Sequence, residues 1–450
     1  MVDKKYQEYT SSKLIWVKDY PGHWNLTRVK YEAYVKARVG WHGLTSNDFT
    51  DVGPYLVTGS DFKGSTIKWE DCYHCDLKRY EQDPYIQLKN GDLLLTKDGT
   101  IGKVALVDGL KDDDKATLNS GVFVVRPLRN NFTTRFYYWL LESRVFKDFV
   151  DYYASGSTII HLYQATFVNF SYASPPIDEQ EKIASFLDYE TAKIDTLIEK
   201  QQRLIELLTE KRQAVISHAV TKGLNPDVPT KDSGVEWLGE VPEHWDISKL
   251  KWQAMTTSGG TPTTSKYELY YENGDIPWVR TTDLNNDKLY ETPIKITSRA
   301  VSDSACSILP INSVLIAMYG GAGSIGKHSL LKFESTINQA VCGILPSHRF
   351  VPEYMHRYYE FYRPFWMIGA AGTRKDPNIG QDTIKEGLVL IPSYNEQQKI
   401  AEYIDKINEK YQGLTKKAQQ AIQLMQERRT ALISAAVTGK IDVRDWVKPE

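Results

Sequence analysis

The stretch Glu179-Gln180-Glu181-Lys182-Ile183-Ala184 opens a long helix-forming run and returns about 217 positions later as Glu396-Gln397-Gln398-Lys399-Ile400-Ala401. Other landmarks recur in the same order and at nearly the same spacing: residues 16–24, ending in His-Trp, at 237–245; Ile-Gly-Lys at 101–103 and 325–327; and Thr-Leu-Asn at 117–119 as Thr-Ile-Asn at 336–338. Self-similarity at a fixed period indicates a duplicated structural unit. The sequence therefore predicts two similar halves.

Composition limits the classes of protein that this chain can be. The 450 residues are 41% apolar and 25% charged, which is typical of an ordinary folded protein of about two to four domains. We find no apolar run long enough to cross a bilayer and no secretory signal, and four cysteines make no disulfide framework, so a cytoplasmic location is expected. The net charge is −2, so any DNA contact would need local positive charge or a partner's charge.

Each half combines a β-rich globular unit with one long helix. Short apolar runs separated by Gly, Pro, Asn and Asp indicate strands, whereas Pro176 and Pro392 precede helix starts and Gly223 and Gly439 follow helix ends. The predicted fold class is therefore α+β. The predicted domains are a first β-rich unit at 1–177, a central helix at 178–222, a linker at 223–240, a second β-rich unit at 241–391, and a C-terminal helix and tail at 392–450.

Both helices carry apolar residues in alternating steps of four and three, which is typical of a coiled-coil seam. Each helix could lie on its own globular unit. We favour pairing of the two helices, because similar repeats that meet through equivalent surfaces form a pseudo-two-fold, antiparallel pair. A basic residue, Lys211 or Arg428, enters the seam at the same register. The predicted helix-pairing residues are Ile183, Leu187, Ile194, Leu197, Leu204, Leu208 and Val215 in the central helix, and Ile400, Ile404, Ile407, Leu414, Met425 and Leu432 in the second.

Three motifs suggest chemistry, but each has a simpler structural interpretation. The loop 321–327 resembles a phosphate-binding loop, yet His328 follows its lysine where Ser or Thr is needed. The stretch 174–177 resembles the Pro-Pro motif of amino-methyltransferases without its aromatic residue, and reads better as a helix entry. The pair Cys72 and Cys75 lacks the second ligand pair of a zinc site. The sequence predicts no catalytic residue, no metal site and no cofactor in this chain.

Polar and basic residues in the predicted loops of both halves suggest DNA binding. Lys and Arg neutralise phosphates, while Arg, Ser and Thr can also contact base edges. Taken singly, each of these residues is better explained as part of a solvated turn, and only their recurrence in both halves favours DNA. The predicted DNA-binding residues are Thr58, Ser60, Lys63, Lys97, Thr100, Lys103, Ser157 and Thr158 in the first half, and Lys266, Arg280, Thr281, Thr282, Lys327, Arg374 and Lys375 in the second.

The whole layout resembles the specificity subunit of type I restriction–modification systems. The most specific stretches are Pro-Glu-His-Trp at 242–245, Gly-Gly-Thr-Pro at 259–262 leading to Ile-Pro-Trp at 276–278, the helix start at 395–401, and the helix end before 437–440. The first half departs from the pattern, because it lacks the Gly-Gly-Thr-Pro stretch.

The resemblance implies that each β-rich unit is a target-recognition domain for one half of a split, asymmetric sequence in double-stranded DNA. It also implies that the paired helices set the gap and bind two methyltransferase subunits, which carry S-adenosylmethionine. Restriction subunits, which use ATP and Mg²⁺, would add translocation and cleavage. This chain itself would be non-catalytic. Two other interpretations remain: the recognition part of a fused restriction and methyltransferase enzyme, and a coiled-coil adaptor without DNA contact.

Overall fold

A computed structural model describes residues 4–38, 48–154, 161–320, 323–366 and 378–449. Its contacts divide the chain into two compact units, one formed by residues 1–202 with 419–450 and the other by residues 203–418. Both long helices continue from one unit into the other: the central helix, α6, is Ile177–Lys222, and the C-terminal helix, α11, is Tyr394–Val437. In the part of the chain that the structure describes, no helix is long and apolar enough to cross a membrane.

The first unit contains a four-stranded antiparallel sheet in the order β10-β9-β12-β4 and a three-stranded sheet in the order β11-β5-β8, in which β5 and β11 run parallel. Its strands are β1 (Tyr9–Ser11), β2 (Asp19–Pro21), β3 (Asn25–Arg28), β4 (Ala33–Ala37), β5 (Phe49–Val57), β6 (Phe62–Lys63), β7 (Thr66–Ile67), β8 (Tyr73–Cys75), β9 (Leu93–Thr96), β10 (Val104–Leu106), β11 (Ala116–Leu118), β12 (Val122–Pro127) and β13 (Ser171–Ser174). Its shorter helices are α1 (Val29–Glu32), α2 (Leu77–Glu81), α3 (Thr134–Glu142), α4 (Arg144–Ala154) and α5 (Gln164–Phe167).

The second unit repeats this plan, with a five-stranded sheet in the order β17-β24-β21-β22-β19 and a three-stranded sheet in the order β20-β18-β23, in which β18 and β23 run parallel. Its strands are β14 (Thr230–Asp232), β15 (Glu240–Pro242), β16 (Asp246–Lys249), β17 (Thr256–Ser258), β18 (Ile276–Val279), β19 (Lys288–Leu289), β20 (Lys295–Ile296), β21 (Val314–Ala317), β22 (His328–Leu331), β23 (Thr336–Ile337), β24 (Val341–Ile344) and β25 (Leu388–Ile391). Its shorter helices are α7 (Tyr267–Tyr270), α8 (Ser298–Asp303), α9 (Pro352–Tyr362) and α10 (Gln381–Glu386).

The larger sheet of each unit is buried on both faces, which explains why its strands read as continuous apolar runs. Successive side chains of a strand point to opposite faces. In β9, Leu93 and Leu95 join the cluster under the helices, while Leu94 joins a second cluster with the smaller sheet. In β21, Val314 and Leu315 divide between two clusters in the same way. Each unit therefore has two layers of core around one central sheet.

Within each unit, the beginning of one long helix packs against the end of the other. In the first unit, Ile183 near the start of α6 shares a hydrophobic cluster with Ile433 near the end of α11, and Arg429 Nε donates to Asp195 Oδ1 at 2.9 Å. In the second unit, the end of α6 packs against the start of α11, and Arg212 Nε donates to Asn408 Oδ1 at 2.7 Å. The two helices are therefore antiparallel, and the predicted fold class is confirmed.

The heptad seam predicted for the helices is wrong in its middle section. Leu197, Leu204 and Leu414 have 49%, 42% and 40% of their surface exposed, while their neighbours Ile198 and Ile205 are half-buried. Val215, Ile407 and Leu432 are half-buried, and Arg212 and Arg429, in place of the predicted Lys211 and Arg428, make hydrogen bonds to the partner helix. The other predicted residues, Ile183, Leu187, Ile194, Leu208, Ile400, Ile404 and Met425, are buried or half-buried.

The seam follows an eleven-residue repeat, which accounts for the error. From Ile183 the buried or half-buried positions run through Ile194 and Ile205 to Ile216, at intervals of eleven residues. The same positions in the C-terminal helix, 217 residues later, are Ile400, Tyr411, Ile422 and Ile433. Eleven residues in three turns correspond to about 3.67 residues per turn, so a seven-residue pattern that begins in register drifts off the seam.

Candidate nucleic-acid interface

A pair of parallel strands ends at one edge of each unit. In the first unit β5 ends at Val57 beside the end of β11, and the backbone N–H of Asn119 donates to Val57 O at 2.9 Å. In the second unit β18 ends at Val279 beside the end of β23, and Asn338 N–H donates to Val279 O at the same distance. The turns that leave these strands therefore lie side by side in both units.

A loop from the larger sheet reaches the same edge. Lys97 N–H donates to Gly121 O at 2.9 Å in the first unit, and Met318 N–H donates to Ala340 O at 2.8 Å in the second. We call the three adjoining segments the loop edge of each unit. The first loop edge comprises residues 58–61, 97–103 and 119–121; the second comprises residues 280–283, 318–320 with 323–327, and 338–340.

A buried carboxylate holds the first turn of each loop edge. Asp61 is 3% exposed and accepts hydrogen bonds from Thr58 N (2.7 Å), Thr58 Oγ1 (3.0 Å) and Ser60 Oγ (3.3 Å). At the equivalent place, Asp283 accepts from Arg280 N (2.8 Å), Nε (3.2 Å) and Nη2 (3.0 Å). An acceptor side chain that takes up turn N–H groups fixes the backbone whatever the other side chains are. The two turns are therefore built alike and display different side chains.

The recurring Ile-Gly-Lys triplet closes the second loop of each loop edge. Gly102 and Gly326 both adopt left-handed backbone angles, with φ of +85° and +67°. A Cβ at Gly326 would lie 2.7 Å from the Trp366 ring, so glycine is required there for space as well as for conformation. The loop leads into strand β22, whereas a phosphate-binding loop leads into a helix. This loop therefore connects two antiparallel strands.

The predicted cations differ in how accessible they are. Lys63, Lys103 and Lys266 are exposed, and Lys327 is half-buried. Lys97 is unsuited to DNA contact, because its side chain is only 14% exposed, with its ammonium group 3.3 Å from Asp98 and 5.7 Å from the centre of the Phe123 ring. We therefore assign Lys97 a structural role.

The remaining predicted residues lie either at the loop edges or outside the described residues. Thr100 is exposed in the first loop edge, and Thr282 is exposed in the second. Thr281 approaches the neighbouring loop, since its Oγ1 lies 3.6 Å from where a Cβ of Gly320 would stand. The hydroxyl of Thr261, five residues before Lys266, donates to Gln339, so that segment adjoins the second loop edge. Ser157, Thr158, Arg374 and Lys375 lie outside the described residues.

The repeated Glu-Gln pair, which we noted only as a landmark, fastens each long helix to its unit. Gln180 donates to Pro175 O at 2.9 Å and accepts from Thr133 N at 3.0 Å. Gln397 makes the same two bonds, to Pro392 O at 2.9 Å and from Val351 N at 2.8 Å. Thr133 and Val351 are the residues that precede α3 and α9. The recurrence of the pair in both halves was the signal that could have revealed this role.

The adjoining glutamate makes a second equivalent contact. His23 Nε2 lies 2.8 Å from Glu179 Oε2, and His244 Nε2 lies 3.0 Å from Glu396 Oε2. These histidines belong to the repeated His-Trp stretch that begins each half. The sequence landmarks at 23–24 and 179–180 are therefore partners in space, and so are those at 244–245 and 396–397.

Ionic contacts also join the second unit to the helices. Arg357 is nearly buried, and its Nη2 donates to Asp405 Oδ1 at 3.0 Å, while Lys288 Nζ donates to Asp405 Oδ2 at 2.9 Å. Although burial opposes it, the hydrogen bonds from Lys288 and Arg357 lower the pKa of Asp405. Arg357 also pairs with Glu360, which in turn pairs with Arg212 of the central helix at 2.6 Å. Asp405 thus links β19, through Lys288, to the C-terminal helix.

Both cysteines of the Cys72–Cys75 motif are buried. Cys72 is buried, its Sγ donates weakly to Lys68 O at 3.5 Å, and burial raises the pKa of its thiol to about 12. A metal-binding cysteine needs to be a thiolate. Among the described residues there is no group of three or more His, Cys, Asp or Glu side chains placed to hold a metal ion.

Comparisons with known proteins agree on one family. The family model described as the type I restriction modification DNA specificity domain matches residues 44–207 and 242–424. The MjaIX specificity subunit of Methanocaldococcus jannaschii is 32% identical over 170 residues, which are 36% of this chain and 38% of that protein. The EcoR124I/EcoR124II specificity subunit of Escherichia coli is 27% identical over 210 residues, 44% of this chain and 46% of the relative. These two matches thus span less than half of either relative.

A longer match and two solved structures cover nearly the whole chain. The putative MjaX specificity subunit of Methanocaldococcus jannaschii is 22% identical over 420 residues, 90% of this chain and 91% of that protein. A chain solved in work on assembly and conformational transition of the type I R-M system has a TM-score of 0.73 at 15% identity, covering 94% of this chain and 99% of its own. The HsdS subunit of Thermoanaerobacter tengcongensis has a TM-score of 0.54 at 16% identity, covering 94% and 98%.

The structures support the fold, and the family model establishes membership, because its two matches together cover well over half of the sequence and fall one in each half. The chain belongs to the family of type I restriction–modification DNA specificity domains, with two copies of the domain in one polypeptide.

Proposed function

We propose that this chain recognises a two-part DNA sequence for a type I restriction–modification complex, one half-site for each unit. The observation that carries the proposal is the pair of loop edges, which share a framework and differ in the side chains that it displays. Asp61 recurs as Asp283 with the same backbone contact, while Thr-Gly-Ser at 58–60 becomes Arg-Thr-Thr at 280–282. Different side chains in equivalent positions would read different bases, so the target is asymmetric.

Phosphate contacts come from cations that recur in both units. Lys103 and Lys327 occupy the same place in the Ile-Gly-Lys triplet, and a lysine contributes to DNA affinity without reading sequence. The net charge of −2 leaves little long-range attraction for DNA, so these local cations are supplemented by partner subunits.

The long helices provide equivalent surfaces for two methyltransferase subunits. Leu197 and Leu207 of the central helix are exposed, and so are Leu414 and Leu424 at the same positions of the C-terminal helix, 217 residues later. Because large apolar side chains are exposed at equivalent places in the two helices, each set is covered by one copy of the same partner. Restriction subunits join the same complex. S-adenosylmethionine, ATP and Mg²⁺ are carried by these partners, and the specificity chain itself is non-catalytic.

Salt dependence of DNA binding tests the proposal. The assembled complex should bind duplexes that contain its target with an affinity that falls steeply as salt rises, because binding releases counterions from the phosphates. Replacing Lys103 and Lys327 with Ala should lower affinity for all sequences and reduce the slope of log K against log salt by about one for each lysine. The control is Lys399→Ala, which removes the same charge from an exposed helix position away from the loop edges.

Two outcomes would contradict the proposal. An adaptor without DNA contact would show no target selection and no salt dependence. If Lys399→Ala weakened binding as much as the loop variants did, phosphate contact at the loop edges would be rejected.

A further inference from the structure

The turn after β18 carries a guanidinium group that its counterpart in the first unit lacks. Arg280 begins this turn, and Thr58 begins the equivalent turn. In both, the first residue's N–H donates to a buried carboxylate three residues on, at 2.8 Å to Asp283 and 2.7 Å to Asp61. Since this bond uses only the backbone of the first residue, the side chain at that position can change while the turn stays the same.

The Arg280 side chain uses only part of its hydrogen-bonding capacity inside the protein. Its Nε donates to Asp283 Oδ2 at 3.2 Å and its Nη2 to Asp283 Oδ1 at 3.0 Å, a side-on pair that fixes the plane of the guanidinium. Asp283 is itself held, because its side chain is only 7% exposed and accepts another hydrogen bond from Thr292 Oγ1 at 3.3 Å. The carboxylate is therefore a rigid support for the arginine.

The outer edge of this guanidinium is left available. A guanidinium carries five N–H donors in one plane, and the side-on pair occupies those of Nε and one of Nη2. The two N–H groups of Nη1 and the second N–H group of Nη2 remain. Among the described residues, Nη1 has no acceptor. The side chain is 33% exposed, so this two-pronged edge reaches the surface.

We propose that Arg280 reads a guanine in the half-site bound by the second unit and that Asp283 is the positioning residue that aims it. This inference rests on the proposed function and deepens it. The O6 and N7 atoms of guanine accept two parallel hydrogen bonds in the major groove, and an arginine fork is the usual donor for them. The free edge of Arg280 is such a fork, and its orientation is fixed before any DNA arrives.

The comparison of the two units favours a base over a phosphate as the ligand of Arg280. A contact that ignores sequence can be the same in both units, as Lys103 and Lys327 are. A side chain that reads sequence must differ between units that read different half-sites, as Arg280 and Thr58 do. A guanidinium held rigidly by a carboxylate suits a ligand of fixed shape, whereas a flexible lysine suits a point charge.

Selection from random DNA tests the assignment. The full-length chain, assembled with the methyltransferase subunit of its own system, would be incubated with duplexes of randomised sequence, and the bound duplexes would be sequenced. The variants are Arg280→Ala, Arg280→Lys, which keeps the charge without the fork, and Lys327→Ala as a control for phosphate contact. Thermal unfolding of each variant verifies that it is folded. The further variant Thr58→Arg places a guanidinium above Asp61.

Wild-type protein should select a two-part motif with a guanine in one half. Arg280→Ala and Arg280→Lys should reduce the preference for that one guanine by about 10- to 100-fold and leave the other positions unchanged. Lys327→Ala should weaken binding to all sequences equally. Thr58→Arg should introduce a new guanine preference in the other half-site.

Contradictory results would separate the two proposals. If wild-type protein selected a motif and Arg280→Lys kept every base preference, or if Arg280→Ala lowered affinity uniformly, Arg280 would be a phosphate contact and the inference would be overturned. If wild-type protein selected no motif at all, the proposed function would fail and this inference with it.

Discussion

Two histidines lie side by side in the interior of the second unit, and burial keeps both neutral. The ring centres of His328, on β22, and His356, on α9, are 4.7 Å apart. Burial, aided by the positive charges of Arg363, Arg357 and Arg212, lowers the pKa of His328 to about 3. Burial also lowers the pKa of His356 well below its ordinary value. The unfolded chain, by contrast, takes up protons on these residues near pH 6.5.

We expect the second unit to lose stability as pH falls from 6.5 towards 5. In this window the unfolded state binds protons that the folded state excludes, so folding becomes less favourable, by about 2 kcal/mol at pH 5 for His328. Urea unfolding at pH 7.5 and pH 5.0 measures the change. The His328→Asn, His356→Asn double variant should show a smaller shift of midpoint between the two pH values, whereas His348→Gln, at an exposed position, should match wild type. Equal shifts in all three proteins would refute the account.

At the scale of an element, the long helices show that a small error in the assumed repeat length displaces the predicted row of contact residues. Ile183 and Leu187 fit a seven-residue and an eleven-residue repeat equally well. Three turns after Leu187, the first pattern selects Leu197 and the structure selects Ile198. Both residues are apolar, so composition does not decide between them. The decision comes from the partner helix, where the same eleven-residue spacing recurs from Ile400 to Ile433.

The eleven-residue seam predicts which substitutions in the central helix are costly. Ile216 is fully buried in the cluster with the start of the C-terminal helix, so Ile216→Ala should reduce the free energy of unfolding by about 2–4 kcal/mol. Leu204→Ala, at a position that a heptad would bury, should change it by less than about 0.5 kcal/mol, because its side chain is exposed. Chemical denaturation of the isolated chain measures both. A larger loss for Leu204→Ala would restore the heptad register.

At the scale of the whole molecule, duplication was the feature that the sequence revealed best. Landmarks such as 179–184 and 396–401 kept their order, and from them followed two similar units and an antiparallel pair of helices. The loop edges were only partly predictable. Thr58, Ser60 and Arg280 were predicted from the sequence as DNA-binding residues, but the place of their turns beside β11 and β23 depends on parallel pairing between distant segments, which no local pattern reports. The side-on pair of Arg280 and Asp283 likewise depends on a turn conformation.

The contacts that fasten each unit to the helices are made by the same helix residues in both halves. Glu179 and Gln180 recur as Glu396 and Gln397, and each glutamate lies beside the histidine of a His-Trp stretch. Asp188, which accepts from Trp139 Nε1 at 2.8 Å, recurs as Asp405, which accepts from Arg357 and Lys288. The glutamate and glutamine that one unit contacts are therefore also present on the helix of the other half. These repeated helix residues form a common support for the units, and the loop edges display different side chains.

Such a support predicts that one unit can replace the other within this chain. We expect a variant in which residues 20–174 replace residues 241–391 to fold, because the repeated glutamate and glutamine contacts are preserved. Because its two units would be identical, we expect it to select the first half-site twice, in place of an asymmetric target. Methylation mapping of cells that carry the complete system with this variant would identify the new target. Selection of the original asymmetric sequence would show that the units do not read their half-sites independently.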